Sequence, residues 1–195
     1  MQHKVKVTVI DKKVYPELQE QYCADPNAGA CPCYQVGDEF IFERYGRSDD
    51  FWHMGLDTLK QSSADPGETA GGTAFPHCSE AWDAISRYIY AGLQGGSIMR
   101  GWMNDERVMI ACCSDGTRPV IFKIERMDYK VLCIEGIQCE YCRNHIREAL
   151  CSVDGVSDVV FREDFAEVYL EKDAPDQLLK EKVEEAGAYS VSEIH

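Results

Sequence analysis

Two cysteines separated by two residues are the strongest chemical signal in this sequence. Cys139 and Cys142 belong to the segment Gly-Ile-Gln-Cys-Glu-Tyr-Cys, which begins at Gly136. Apolar residues before the segment predict a strand over residues 129–134, and apolar residues at four-residue steps after it predict an amphipathic helix. Cys139 is therefore expected in a loop and Cys142 in the first helical turn, so that the two sulfur atoms converge.

Two converging thiolates beside a helix N-terminus are suited to bind a soft metal ion. The positive end of the helix dipole favours thiolate over thiol. Without a third strong ligand, two thiolates favour Cu(I), whereas Zn(II) normally takes four donors. We therefore expect Cu(I), with Zn(II) or another soft ion as the alternative. A dithiol redox pair and a metal-free remnant of a former site are also compatible with CxxC alone.

The segments that follow predict the fold around this pair. A turn at Asp154-Gly155 separates the first helix from two strands over residues 156–161 and 165–170. Asp173 is the expected N-cap of a second helix, and a short strand follows that helix. The order β-α-β-β-α-β is that of a ferredoxin-like sandwich. A thioredoxin-type redox domain would need a different order of elements.

These features together resemble the heavy-metal-associated domain of copper chaperones and metal-transporting P-type ATPases. The resemblance covers residues 129–195 and implies that Cys139 and Cys142 are the metal ligands. The family usually has Met where this chain has Ile137, which is a mild change at a packing position. Zinc- and cadmium-type members often carry Asp before the first cysteine, whereas this chain has Gln138. The resemblance therefore favours Cu(I).

Two more side chains are expected near the site. Tyr189, after the second helix, resembles the aromatic residue that bacterial copper chaperones place beside the metal. His145 follows Cys142 by three residues and could be a third donor, although an isolated histidine near a helix start is more often solvated. Cys133 and Cys151 are expected to be packing thiols.

Length and composition predict two domains, residues 1–127 and 128–195. The chain has 195 residues, of which 45% are hydrophobic, and this is enough for two small cores. Its ten cysteines, without an export signal or a membrane span, indicate a cytoplasmic protein with reduced thiols. The short join near residue 127 predicts domains that pack together.

The net charge of −14 argues against a nucleic acid partner, because no basic patch offsets phosphate repulsion. Residues 128–195 carry 7 Lys and Arg against 16 Asp and Glu, a formal charge of −9. This surface would suit a protein with a basic docking face, such as a metal-transporting ATPase, although a solvated acidic surface is an equally good interpretation. A homodimer that shares one ion between two CxxC sites also stays open.

The N-terminal half is predicted to be an α+β domain with an antiparallel sheet, and the C-terminal sandwich is expected to pack against it. Strands are expected over residues 5–10, 38–42, 108–112 and 119–124, the last two as a hairpin. Residues 16–22 predict a short helix, and Ser79 is the expected N-cap of a longer one. Residues 61–74, rich in Gly, Ser and Thr, predict a surface loop.

The cysteines of this half cluster near the ends of the predicted elements. If the fold brings three or four together, they would form a second metal site for Zn(II) or a soft ion. Their spacing lacks the paired CxxC knuckles of a zinc ribbon, so buried packing thiols are the alternative. The candidate ligands are Cys23, Cys31, Cys78, Cys112 and Cys113.

This half also resembles an uncharacterised prokaryotic family of small proteins. The shared motifs are Tyr-Cys-x-Asp-Pro from Tyr22, Cys-Pro at Cys31 with Gly-x-Glu-Phe from Gly37, and Cys-Cys-x-Asp-Gly-x-Arg-Pro from Cys112. The resemblance implies a common fold but no activity. Cys33 stands where an aliphatic residue is expected, so it is the weakest ligand candidate of its loop.

The whole sequence therefore favours a soft-metal-binding protein that delivers, sequesters or senses Cu(I) through its CxxC pair. No arrangement typical of nucleophilic catalysis is recognisable, so a binding protein is favoured over an enzyme. Two competing hypotheses remain. One is a thiol-dependent redox enzyme that uses the N-terminal cysteines, and the other is a docking module for a metal transporter.

Overall fold

In a computed structural model of the chain, residues 1–44, 59–62, 78–163 and 165–195 are described. The chain divides into two compact units, Lys4–Arg126 and Met127–His195, and Met1–His3 belongs to the second. The loop predicted over residues 61–74 lies outside the described residues, except for its first two, which belong to a strand. Within the described ranges, every helix is too short or too polar to cross a membrane.

The first unit is built on an antiparallel sheet. Its strands are β1 (Gln2–Lys12), β2 (Glu39–Arg44), β3 (Leu59–Ser62), β4 (Val108–Cys112) and the first part of β5 (Val120–Glu135). They lie in the order β3-β2-β1-β5-β4. The predicted hairpin is present, because β4 and β5 pair antiparallel with Val108 opposite Glu125.

Two helices belong to this unit, α1 (Pro16–Tyr22) and α2 (Ser79–Leu93). Helix α2 buries Ile85 and Ile89 against the sheet, as its three- and four-residue spacing predicts. The expectation that Ser79 is its N-cap is wrong by one residue. Cys78 holds that position with an extended backbone, and its carbonyl accepts the Trp82 N–H at 2.9 Å. Ser79 is therefore the first helical residue.

The second unit combines two helices with an antiparallel sheet, as the sequence predicts. After β5 come α3 (Glu140–Cys151), β6 (Val156–Phe161), β7 (Ala166–Leu170), α4 (Asp176–Glu185) and β8 (Ser190–Ile194). The strand order is β6-β7-β5-β8, and every pair is antiparallel. Its core contains fully buried residues from both helices and the sheet: Leu132, Ile146, Leu150, Val168, Leu179 and Val183.

Strand β5 differs from the sequence expectation, which divided it into two strands. It continues through residues 125–128 because these residues have partners on neighbouring strands. Glu125 pairs with Val108 and Asp128 with Leu170. The Asp128 carboxylate also lies 2.7 Å from the His3 Nδ1 atom, so it has a hydrogen-bonding partner within the second unit.

The expected N-cap of α4 is also wrong, because Pro175 and not Asp173 holds that position. The buried Lys130 ammonium donates to the Ala174 carbonyl and to Asp176 at 2.6 Å each, and lies 3.2 Å from Asp173. These contacts draw the segment before α4 towards the sheet. Asp173 therefore pairs with a cation and makes no helix cap.

Candidate metal centre

The CxxC cysteines lie at the N-terminal end of α3. Cys139 is the N-cap, with extended backbone at φ −157° and ψ 168°, and Cys142 lies in the first turn. The Arg143 N–H donates to the Cys139 carbonyl at 3.3 Å and closes this turn. The sulfur atoms of the two cysteines are 3.2 Å apart. A disulfide bond is about 2.05 Å long, so these are separate thiols close enough to share one ion.

Tyr189 contacts the Cys142 sulfur. A hydrogen bond from its hydroxyl is the largest cause that lowers the pKa of Cys142 from 9.0 to about 7. Hydrogen bonds from the Gln138 backbone and from Cys139 act in the same direction, and desolvation opposes them. The same contact raises the pKa of the Tyr189 hydroxyl, which is the proton donor. Much of Cys142 is therefore thiolate, the metal-binding form, at neutral pH.

Two glycines let the loop before α3 and the loop before β8 approach each other. Gly136 has φ +92°, and a Cβ atom there would lie 2.7 Å from the Ala188 carbonyl oxygen. At Gly187, a Cβ atom would lie 2.8 Å from the Tyr189 ring. A side chain at either position would push the Tyr189 loop away from the cysteines. The sequence places Gly136 in the motif, but its steric role is visible only in the fold.

The other residues expected at this site have different surroundings. Ile137 packs against the core of the second unit, which agrees with a packing role at this motif position. His145 is exposed, and its ring centre lies 6.2 Å from that of Tyr141. In the described ranges, no His, Cys, Asp or Glu joins both cysteines in a group whose ligand atoms all lie within 4.8 Å of one another. Among the described residues, the two sulfur atoms therefore stand as a pair without a third ligand-type side chain that reaches both.

The vicinal pair of the first unit is divided between two environments. Cys113 is buried, and its sulfur accepts the Val120 N–H at 3.3 Å. Its neighbour Cys112, the last residue of β4, is exposed. Consecutive side chains along an extended chain point to opposite faces, so the two sulfurs do not face one site.

The remaining N-terminal candidates lie at the edge of the first core. Cys31 and Cys78 pack there, and burial, followed by the nearby Cys31, raises the pKa of Cys33. Cys23 lies apart, with its sulfur 3.9 Å from the Thr117 hydroxyl. These cysteines form no group of three within mutual ligand distance in the part of the chain that is described. The second, N-terminal metal site stays a prediction.

Part of this chain is similar in sequence to copper chaperones. It is 36% identical over 64 residues to the copper chaperone CopZ of two strains of Staphylococcus epidermidis. The match covers 94% of that protein and 31% of this chain. Over that segment, the chain belongs to the copper chaperone family. The segment is similar in length to the second unit, which contains the CxxC pair. A scan of protein-family models gives no match.

Two solved structures resemble a similar share of the chain. A CopZ metallochaperone is 27% identical, covers 33% of this chain and 98% of its own, and has a TM-score of 0.31. A copper-binding domain from HMA7, a P-type ATPase, is 26% identical, covers 35% of this chain and 95% of its own, and has a TM-score of 0.32.

The second unit also contains a group of ligand-type side chains that the sequence did not reveal. Cys133 of β5 lies close to Glu193 and His195, at the end of β8, with all three ligand atoms within 4.8 Å of one another. Cys133 is half-buried and was expected to be a packing thiol. The alternation Glu193-x-His195 is the only local signal. The spacing of residues does not reveal that β8 pairs with β5, which contains Cys133.

Proposed function

We propose that this protein binds Cu(I) through Cys139 and Cys142 and delivers it to an acceptor protein. The observation that carries the proposal is the pair of sulfur atoms 3.2 Å apart at the N-terminal end of α3. Soft thiolate ligands select Cu(I), and a two-sulfur site offers fewer donors than Zn(II) normally takes. The similarity to copper chaperones supports the same ion and the same task.

The unequal exposure of the two cysteines supports transfer in steps. Cys139 is exposed, whereas Cys142 is half-buried beside Tyr189. An acceptor thiolate can therefore approach the ion from the side of Cys139 while Cys142 still holds it. The Tyr189 hydroxyl donates a hydrogen bond to the Cys142 sulfur. This contact keeps Cys142 ready to bind metal without a full, unsolvated charge.

The proposed acceptor is a protein with a basic docking face, such as a metal-transporting ATPase. Residues 128–195 carry a formal charge of −9, which favours encounter with a basic surface. Tyr141, between the two cysteines, is 76% exposed and is available for contact.

We further propose that the second unit is a ferredoxin-like sandwich and that it forms a separate domain from about residue 128. The element order β5-α3-β6-β7-α4-β8 and the strand order β6-β7-β5-β8 support this assignment. Packing of the two halves, a cytoplasmic location and a shared ion in a homodimer stay predictions.

An anaerobic Cu(I) titration tests the proposal. The reduced full chain, the Cys139→Ser/Cys142→Ser variant and a Cys151→Ser control are titrated against competing Cu(I) chelators. We expect one tight equivalent in the wild type and the control, and its loss in the double variant. Cys151 is a suitable control because it is exposed at the other end of α3. A wild type without a tight equivalent, or a double variant that retains it, contradicts the proposal.

The competing redox hypothesis requires an activated thiolate in the first unit. Cys33 is exposed, but desolvation and the neighbouring Cys31 raise its pKa, and Cys113 is buried, so neither has the surroundings of a low-pKa thiolate. Rapid alkylation of an N-terminal cysteine, together with far less than one equivalent of metal, would favour the enzyme. Partner binding that survives the Cys139→Ser/Cys142→Ser change would favour the docking module.

A further inference from the structure

We propose that Cys133, Glu193 and His195 form a β-sheet metal site, separate from the predicted N-terminal site, which binds Zn(II) and leaves one coordination position open. The site lies on the face of the sheet opposite the helices. Leu132 and Ile194 contribute to the core beneath α3 and α4. Because side chains alternate along a strand, the neighbours Cys133, Glu193 and His195 point to the other face. The site therefore shares no residue with the CxxC pair.

Backbone pairing places the three residues together. Cys133 of β5 lies opposite Glu193 of β8. Val131 and His195 exchange both of their backbone hydrogen bonds, each 3.0 Å long, so the backbone of His195 is held in the same ladder. Directly opposite residues have Cβ atoms about 5 Å apart, and residues two apart on one strand share a face. Strand register therefore places the three side chains on one face of the sheet.

The ligand atoms are already near the positions that a metal requires. All three lie within 4.8 Å of one another, and the Nε2 atom of His195 is 3.0 Å from a carboxylate oxygen of Glu193. Zinc–ligand bonds are about 2.0–2.3 Å long, which puts tetrahedral ligands roughly 3.5 Å apart. Rotations about side-chain bonds can close this difference. The partial exposure of all three side chains gives an ion a path of entry.

The backbone pairing of β5 with β8 is irregular next to Cys133. The register between β5 and β8 shifts between Cys133 and Ile134, as in a β-bulge. The Ser192 hydroxyl, next to Glu193, donates to the Cys133 carbonyl at 3.3 Å across this irregularity. Bulges are common beside functional sites because they re-aim individual side chains. This observation is independent of the ligand types.

The donor set selects a different ion from the one proposed for the CxxC pair. One thiolate, one carboxylate and one imidazole are common ligands of Zn(II), whereas Cu(I) prefers sulfur. Three protein ligands leave a fourth position for water or another molecule, which is the arrangement of an exchangeable or reactive site and not of a closed structural one. The two sites would thus distinguish two metals by ligand chemistry within one unit.

Titration with Co(II), a spectroscopic substitute for Zn(II), tests this site. The starting protein is the full chain without a tag, reduced and carrying Cys139→Ser/Cys142→Ser. We expect it to bind one Co(II) with a thiolate charge-transfer band and the intense visible bands of four-coordination, all removed by Zn(II). Adding Cys133→Ser should abolish the charge-transfer band and weaken binding by at least about tenfold. Adding Cys151→Ser, the matched control, should change neither.

Three results would overturn the proposal. The first is a starting protein that binds no Co(II). The second is a charge-transfer band that survives Cys133→Ser, which would place the metal on other cysteines, and the third is Co(II) binding that Glu193→Gln leaves unchanged. Circular dichroism shows whether Cys133→Ser is folded, and Glu193→Gln at an exposed position must weaken Co(II) binding as well. Because the CxxC cysteines are absent from every protein in this series, failure of Cu(I) binding at that pair would leave the result unaffected.

Discussion

Removing the Tyr189 hydroxyl should change the acidity of Cys142 without removing a metal ligand. Its hydrogen bond is the largest cause of the lowered pKa of Cys142, and the ring of Tyr189 also packs against the core of the second unit. Tyr189→Phe keeps the ring and deletes the donor. We expect the pKa of Cys142 to rise from about 7 towards 9.0 in this variant.

The size of the effect on reactivity follows from the two pKa values. At pH 7, a thiol with a pKa of about 7 is about half ionised, whereas one at 9.0 is about 1% ionised, a difference of roughly 50-fold. A thiolate of lower pKa is also a weaker nucleophile. With a Brønsted coefficient of about 0.4–0.5, a pKa lower by two units reduces the rate constant of the thiolate roughly eightfold, which offsets part of the roughly 50-fold gain in thiolate. Wild-type Cys142 should therefore be alkylated roughly sixfold faster than an unperturbed thiol.

The assay is alkylation by iodoacetamide as a function of pH, with Cys142 followed separately by mass spectrometry of its peptide. The wild-type rate should rise with a midpoint near pH 7. In Tyr189→Phe the midpoint should move upwards, and the rate at pH 7 should fall by up to about sixfold. Tyr141→Phe is the matched control, because that side chain is adjacent but 76% exposed. A wild-type midpoint near 9, or equal midpoints in wild type and Tyr189→Phe, would refute the reasoning.

Three further changes test how the second unit supports the site. Gly136→Ala should reduce thermal stability and weaken Cu(I) binding in chelator competition. The new Cβ atom would lie 2.7 Å from the Ala188 carbonyl oxygen, and φ at this position is positive. An unchanged melting temperature and an unchanged Cu(I) affinity would contradict this expectation. In urea unfolding, Leu150→Ala should cost about 2–5 kcal/mol because the side chain is fully buried, whereas the exposed Leu178→Ala should cost much less. Lys130→Met should cost about 1.5–3 kcal/mol at pH 7. Burial acts to lower the pKa of Lys130, but the hydrogen bonds to Asp176 and Asp173 together outweigh it and raise that pKa above 10.5. The contribution of Lys130 is therefore present below pH 10.5, and the difference from wild type should narrow as the pH rises above that value.

Much of the second unit could be predicted from local patterns. The strand over residues 156–161 has the predicted bounds, and the helix that begins after Cys139 follows from the stripe of Cys142, Ile146 and Leu150. These elements are amphipathic, so the period of their apolar residues reports the face that the core covers. The N-caps of α2 and α4 could not be located to the residue, because distant contacts, such as that of Lys130 with the segment before α4, fix the path into the helix.

The sequence alone determined that two cysteines meet at a helix N-terminus. Cys142 follows Cys139 by three residues, which is close to one helical turn, so the two side chains lie on the same side of the helix start. The tertiary structure decided the surroundings of that pair. Tyr189 reaches Cys142 only because Gly136 and Gly187 have no side chains and let two loops touch. The pairing of β5 with β8 likewise brings Cys133 opposite Glu193, although they are far apart in the chain. Contacts of this kind depend on strand register and close backbone approach, which residue spacing does not encode.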